Sequence, residues 1–223
     1  MRYLGNCLYC GQEVTRRTAA RHLAKCAPRQ AAIEQAQTKR RPQQLLCHIR
    51  ADAAHLPEFW LDLEVNGAAT LQDLDRYLRA IWLECCGHMS QFSDTGWGSQ
   101  EFAMRTAVAE AFPQGASLTH IYDFGTESVT TLTCLAVRTG KPTTNRPIAL
   151  MVRNQLPAVV CIECGQPAAW LCMECVIEDD VMGFLCDAHR DQHPHDNYDE
   201  PLAVVNSPRL GLCGYTGPAD PPY

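Results

Sequence analysis

Between Cys161 and His195 the sequence places eight soft metal donors in a short span: Cys161-Ile-Glu-Cys164, Cys172-Met-Glu-Cys175, Cys186-Asp-Ala-His189, then His193 and His195. Donors separated by two residues sit on one tight turn, so two such turns grip an ion tetrahedrally with little loss of chain entropy. Eight donors suffice for two ions. Thiolate and imidazole favour zinc over magnesium or calcium, and four protein ligands leave no position for a substrate, which is the pattern of a structural site. Large apolar residues are scarce in this stretch, so metal has to stand in for a core. His193 and His195 are only one residue apart, and Cys213 or Asp196 is an alternative to one of them.

The same format recurs at the other end. Cys7-Leu-Tyr-Cys10 is followed by His22 and Cys26, which fall at i and i+4 on one face of a helix expected over Thr18 to Cys26. Residues 1–26 therefore read as a zinc finger, and the cofactor expectation is three structural zinc ions. The chain has 13 cysteines, most of them in this spacing, and nothing at its N-terminus resembles a secretory signal. The expected state is reduced thiolates in the cytoplasm. No apolar run is long enough to cross a bilayer, so no membrane partner is expected.

Charge is distributed unevenly. Ten basic side chains stand against Glu13 and Glu34 in the first 50 residues, a local charge of +8 in a chain whose net charge is -6. Arg16, Arg17, Arg21 and Lys25 on the finger, with Lys39, Arg40 and Arg41 in a basic linker over 27–44, are candidate contacts to nucleic-acid phosphates. A solvated basic helix and a soluble tether explain the same residues without a partner.

Residues 45–156 read as a middle domain. Leu46 to Ala51 and Phe59 to Val65 carry strand patterns, and Thr70 with Asp73 forms a capping-box-like start to a helix. Leu71, Leu74, Leu78, Ile81, Trp82 and Cys85 mark one face of that helix, which is expected to run to Gly87. After it come Met89 to Phe92, a Gly-rich loop through Trp97, a short helix near Thr106 to Ala111, and strands at Leu118 to Tyr122, Val129 to Val137 and Ile148 to Val152. The expected fold class is α+β: an antiparallel or mixed sheet around one long helix, β-grasp-like, flanked by two small zinc modules.

Two motifs in this domain, Gly87-His88-Met-Ser-Gln-Phe92 and Ile121-Tyr-Asp-Phe-Gly125, resemble those of the plasmid pRiA4b ORF-3-like family. The helix pattern Leu71-Gln-Asp-Leu74-Asp-Arg-Tyr-Leu78 and the closing run Asn206 to Tyr215 add to the resemblance, which covers about Leu46 to Arg153. It implies the strand-strand-helix opening, and an association of some members with plasmids and mobile elements. Many members carry an acidic residue and a Trp after the second motif, where this chain has Thr126-Glu127-Ser128. Within 157–223, a zinc module and tail, Cys161 to His195 resembles B-box zinc domains in its Ala-Ala-Trp-Leu-Cys172 run and in the Leu preceding Cys186. That resemblance implies a cross-brace, with Cys161, Cys164, Cys186 and His189 on one ion and Cys172, Cys175, His193 and His195 on the other.

Polar residues of the middle domain that could do acid-base work are His88, His120, Tyr122 and Asp123. The competing account of Asp123-Phe-Gly125 is a turn in which Asp bonds backbone and Gly takes positive φ. Vicinal Cys85-Cys86 are redox candidates or buried small hydrophobes. The leading functional expectation is a zinc-binding adaptor whose partner is nucleic acid, met by the basic N-terminal region, or protein, met by the C-terminal module. The alternative is a hydrolase or nuclease using His88, Tyr122 and Asp123.

Overall fold

Alternating apolar stretches become strands along most of this chain, and the computed structural model describes residues 3–194, 197, 198, 200–215 and 217. The order is β1 (Leu4–Cys7), β2 (Glu13–Thr15), α1 (Ala19–Lys25), α2 (Ala27–Gln37), β3 (Gln44–Ala53), β4 (Trp60–Asn66) and α3 (Leu71–Leu78). A π-helical turn, Arg79–Leu83, leads on to β5 (Ser90–Ser93), β6 (Glu101–Phe102), α4 (Val108–Ala111), β7 (Ser117–Tyr122), β8 (Ser128–Gly140) and β9 (Ile148–Asn154). These nine strands form one antiparallel sheet in the spatial order β2-β1-β9-β4-β3-β8-β7-β5-β6. A mixed α/β fold with a large antiparallel sheet and few helices results.

The expected single long helix is not present. Helix α3 starts on the capping box, with the Asp73 N–H donating to Thr70 Oγ1 and the Thr70 N–H to Asp73 Oδ2, but its α geometry stops after eight residues. Ile81, Trp82 and Leu83 are consecutive and all fully buried, which a turn of 3.6 residues does not allow on one face. The chain widens instead, and the Glu84 N–H bonds the Arg79 carbonyl five residues back.

β4 explains how the N-terminal segment is joined to the sheet. Leu61, Leu63 and Val65 enter the main core with Leu71, Leu74, Leu78 and Trp82, while Trp60 packs on the opposite side with Cys7, Val14, Leu23 and Met151. Asp62 and Glu64 share that opposite side and are buried too. Covering them, rather than hanging from a flexible tether, are α1 and α2, and β1 pairs with β9 through Gly5 and Asn154. Gly5 is required there, because a Cβ would lie 2.7 Å from the Arg153 carbonyl oxygen and 2.8 Å from the Trp60 ring.

A second, three-stranded sheet, β11-β10-β12, is built from β10 (Trp170–Cys172), β11 (Gly183–Leu185) and β12 (Leu202–Ala203), with helices α5 (Met173–Glu178) and α6 (Asp187–Arg190). Its core is small and rich in cysteine: Cys161, Cys172, Cys175 and Leu185. After β12 the chain returns to the large sheet as a strap. Asn154 Nδ2 donates to Asn206 Oδ1, Ser207 Oγ to the Trp82 carbonyl, and Arg209 Nη1 to the Thr126 carbonyl. Among the described residues no helix is long and apolar enough to cross a membrane.

Candidate metal centres

The first grouping is built on a turn. After β1 the Gly11 N–H bonds the Cys7 carbonyl and the Cys7 N–H bonds the Gln12 carbonyl, with Gly11 at φ 72. That turn sets Cys7 and Cys10 side by side, and α1 brings His22, with Cys26 just beyond its end. Cys7 Sγ lies 3.9 Å from Cys26 Sγ, and Cys10 Sγ 3.4 Å from His22 Nε2. A zinc tetrahedron with ordinary bond lengths has sulfur–sulfur edges of about 3.8 Å and sulfur–nitrogen edges of about 3.6 Å. Burial pushes the Cys7 thiol up to about 11, whereas the Gln12 backbone N–H lowers that of Cys10.

The same turn recurs at Cys161. Gly165, at φ 70, donates to the Cys161 carbonyl, and the Cys161 N–H to Gln166. Here Cys161 and Cys164 meet Cys186 and His189: Cys164 Sγ is 3.8 Å from Cys186 Sγ, and His189 Nδ1 is 3.3 Å from Cys186 Sγ and 3.7 Å from Cys161 Sγ. Burial opposes the charge of Cys161, but the backbone N–H groups of Cys186, Glu163 and Cys164 outweigh it and bring the thiol to about 6.

In the third grouping Cys172 and Cys175 join His193, whose Nε2 is 3.1 Å from Cys175 Sγ. His193 Nδ1 lies 2.8 Å from Glu163 Oε1, a carboxylate placed to fix the ring's orientation. His195 and Asp196 lie outside the described residues. Cys213 is not at this site; the strap carries it to Cys86 and His88 instead. Along the chain the two C-terminal groupings interleave, first pair with third and second pair with His193.

A fourth grouping, Cys85, Cys86, His88 and Cys213, has no counterpart in the sequence reading. Its cysteines lack the two-residue spacing, and Cys213 reaches the site only because the strap doubles back. The would-be catalytic residues are next to it. His88 Nε2 is 3.4 Å from Asp123 Oδ2, and the His88 and Tyr122 rings are 5.8 Å apart. The Asp123 carboxylate is fully engaged: Oδ1 accepts from the Gly125 and Thr126 N–H groups, and Oδ2 from Arg209 Nη2 at 2.5 Å. Burial raises the Asp123 pKa, but the Arg209 and backbone donors prevail and hold it below the ordinary carboxylate range. Burial also pushes the Tyr122 hydroxyl up to about 12. In this turn Asp123, at φ 64, takes the left-handed conformation that the sequence reading gave to Gly125. His120 is apart from all of these, fully buried with Nε2 2.9 Å from Asp75 Oδ1.

The basic candidates divide into two sets. Arg16 forms a two-pronged pair with Asp52 at 2.6 and 2.8 Å, and Arg41 donates to the Thr144 carbonyl. Arg17, Arg21, Lys25, Lys39 and Arg40 are exposed. No family model and no curated protein matches the sequence. Among solved structures the chain is similar to a crystal structure of a protein of unknown function, MM3350 from Methanosarcina mazei Go1, with 15% identity and a TM-score of 0.40, covering 47% of this chain and 66% of that one.

Proposed function

We propose that this is a zinc-stabilised binding protein, an adaptor in which three structural zinc ions fix an N-terminal finger and a B-box-like module to a pRiA4b ORF-3-like sheet domain. The observation that carries the reading is the donor spacing: in the groups around Cys7 and Cys161, four Cys and His donors fall within 4.8 Å of one another, at separations suited to tetrahedral zinc. A full set of protein ligands gives structure rather than catalysis. We place the third ion on Cys172, Cys175 and His193, the residue expected to complete the set, His195 or Asp196, lying outside the described residues.

The partner we assign is nucleic acid, met through phosphate contacts by Arg17, Arg21 and Lys25. Arg21 and Lys25 lie one turn apart on the exposed side of α1, and Arg17 precedes them. Neighbouring basic residues such as Arg16 and Arg29 are bound to carboxylates, whereas these three form no ion pair among the described residues. Hydrolysis at His88, Tyr122 and Asp123 is the weaker alternative. A general base works best with a pKa near the working pH, and Asp123 is held in the opposite direction.

Elemental analysis of the purified protein should find zinc in multiple equivalents, and binding to DNA or RNA should fall steeply between about 50 and 200 mM salt. Replacing Arg17, Arg21 and Lys25 together with Glu should abolish that binding while zinc content stays constant. Metal-free folded protein would remove the zinc reading. Binding that survives the triple substitution would remove the finger as the contact.

A further inference from the structure

We propose that Cys85, Cys86, His88 and Cys213 hold a fourth zinc ion, which clasps the C-terminal strap to the large sheet. None of these residues belongs to the other three groups, so the assignment stands or falls separately from them. Cys86 Sγ lies 3.7 Å from Cys85 Sγ, 3.5 Å from Cys213 Sγ and 2.9 Å from His88 Nε2, and His88 Nε2 lies 3.3 Å from Cys213 Sγ. All four donor atoms fall within 4.8 Å of one another. Sulfur separations of this size are tetrahedron edges and are far from a disulfide bond of about 2.05 Å. Three thiolates and one imidazole make a set that selects a soft, four-coordinate ion.

The fold delivers each ligand by an identifiable device. The π turn ends at Glu84, whose Oε1 accepts the Gly87 N–H at 2.6 Å and so curls Cys85, Cys86 and His88 into one loop. Cys213 comes from 125 residues further along than His88. It is anchored on both sides, by the fully buried Arg209 and Tyr215. Its backbone is at φ 50, between Gly211 at φ 82 and Gly214 at φ 67. A left-handed non-glycine residue is strained and persists only where its surroundings hold it. In that conformation its thiol lies 3.5 Å from Cys86 Sγ and 3.3 Å from His88 Nε2.

Charged groups of both signs border the site. On binding, the three thiols give their protons to solvent and form three sulfur–metal bonds, with no change in oxidation state. The resulting centre carries one net negative charge. Arg209 Nη2, 3.4 Å from Cys85 Sγ, places a buried cation against it and is shared with Asp123, whose Oδ2 lies 2.5 Å from Nη2 and 3.4 Å from His88 Nε2.

Native mass spectrometry of the full chain, purified without chelator, tests the assignment. Wild type should hold one more zinc ion than either Cys213→Ser or Cys86→Ser, whereas Cys134→Ser, at a buried position on β8, should match wild type. In unsubstituted protein, zinc should shield Cys85, Cys86 and Cys213 from iodoacetamide, and chelator should expose them. Equal zinc content in wild type and Cys213→Ser would overturn the clasp, as would a protein two daltons lighter with Cys86 and Cys213 bridged. The three other centres are judged from Cys10→Ser, Cys164→Ser and Cys172→Ser, so their failure is distinguishable from failure of the clasp.

Discussion

Arg29 of α2 and Glu64 of β4 meet at 3.1 Å beneath the N-terminal segment, and Arg138 of β8 closes on the same carboxylate at 2.7 Å. Both Arg29 and Glu64 are buried, so neither charge is solvated if the other is lost. Breaking a buried pair from one side costs about 3–5 kcal/mol. Glu64→Gln should lower the unfolding free energy by about that amount in denaturant titrations and raise protease cleavage between residues 25 and 44. An unchanged denaturation midpoint would show that the pair contributes nothing.

The neighbouring carboxylate sets an acid limit. Burial disfavours the charge of Asp62, but His48, at 3.1 Å, and Arg50, at 2.8 Å, outweigh it and depress the pKa. A depressed carboxylate contributes stability that is complete above its unfolded pKa of about 3.9 and is lost as pH falls through the folded value. Asp62→Asn should therefore be well below wild type in melting temperature at pH 7. The gap should narrow only on acidification below about pH 4. A gap that is constant with pH would mean that the lost interaction is not ionic.

Gly183 bears on one metal group alone. A Cβ at this position would lie 2.5 Å from Cys175 Cβ and 2.8 Å from its Sγ, contacts that real side chains do not make. Gly183→Ala should displace Cys175 and cost one zinc ion, leaving the ions of the other groups in place. Atomic absorption on the purified variant checks this; zinc content equal to wild type would remove Cys175 as a ligand.

Removing metal should separate the two sheets in stability. The small core at Cys161, Cys172, Cys175 and Leu185 buries little apolar surface, whereas the large sheet packs against Leu71, Leu74, Leu78 and Trp82. Structural zinc contributes about 10 kcal/mol or more at neutral pH, so chelator should melt the C-terminal module while the large sheet retains its own transition. Hydrogen exchange would show rapid loss of protection over 161–193 and persistence in β3, β4 and β8. Loss of protection in both regions together would mean one indivisible unit.

Much of this architecture was legible because local rules held. The capping box at Thr70 and Asp73 and the alternating strands lie where propensity and period put them, and CxxC spacing pointed to the residues grouped around Cys7, Cys161 and Cys172. Long-range features were not legible. Asp62 and Glu64 look like the solvated side of a strand, and only the docking of α1 and α2 buries them. Cys85 and Cys86 read as helix-end residues because the π turn that redirects them arises from tertiary packing of Ile81, Trp82 and Leu83. Cys213 reads from the sequence only as an alternative ligand for the Cys172 group, since nothing local announces that a strap crosses back over a sheet.

The six-residue pattern Cys-x-x-Cys-Gly-Gln occurs twice, at 7–12 and 161–166, with the same two backbone hydrogen bonds and the same left-handed glycine. One copy prolongs a strand of the large sheet, and the other opens a small module with its own sheet. Two of the turn's hydrogen bonds are closed within its own six residues, and in both copies the second residue, Leu8 or Ile162, also donates its N–H to a neighbouring carbonyl, Met151 or Phe184. The turn behaves as an interchangeable part: exchanging the two hexapeptides should preserve both ligand pairs, and the same cassette could be grafted onto other hairpins to plant half of a metal centre.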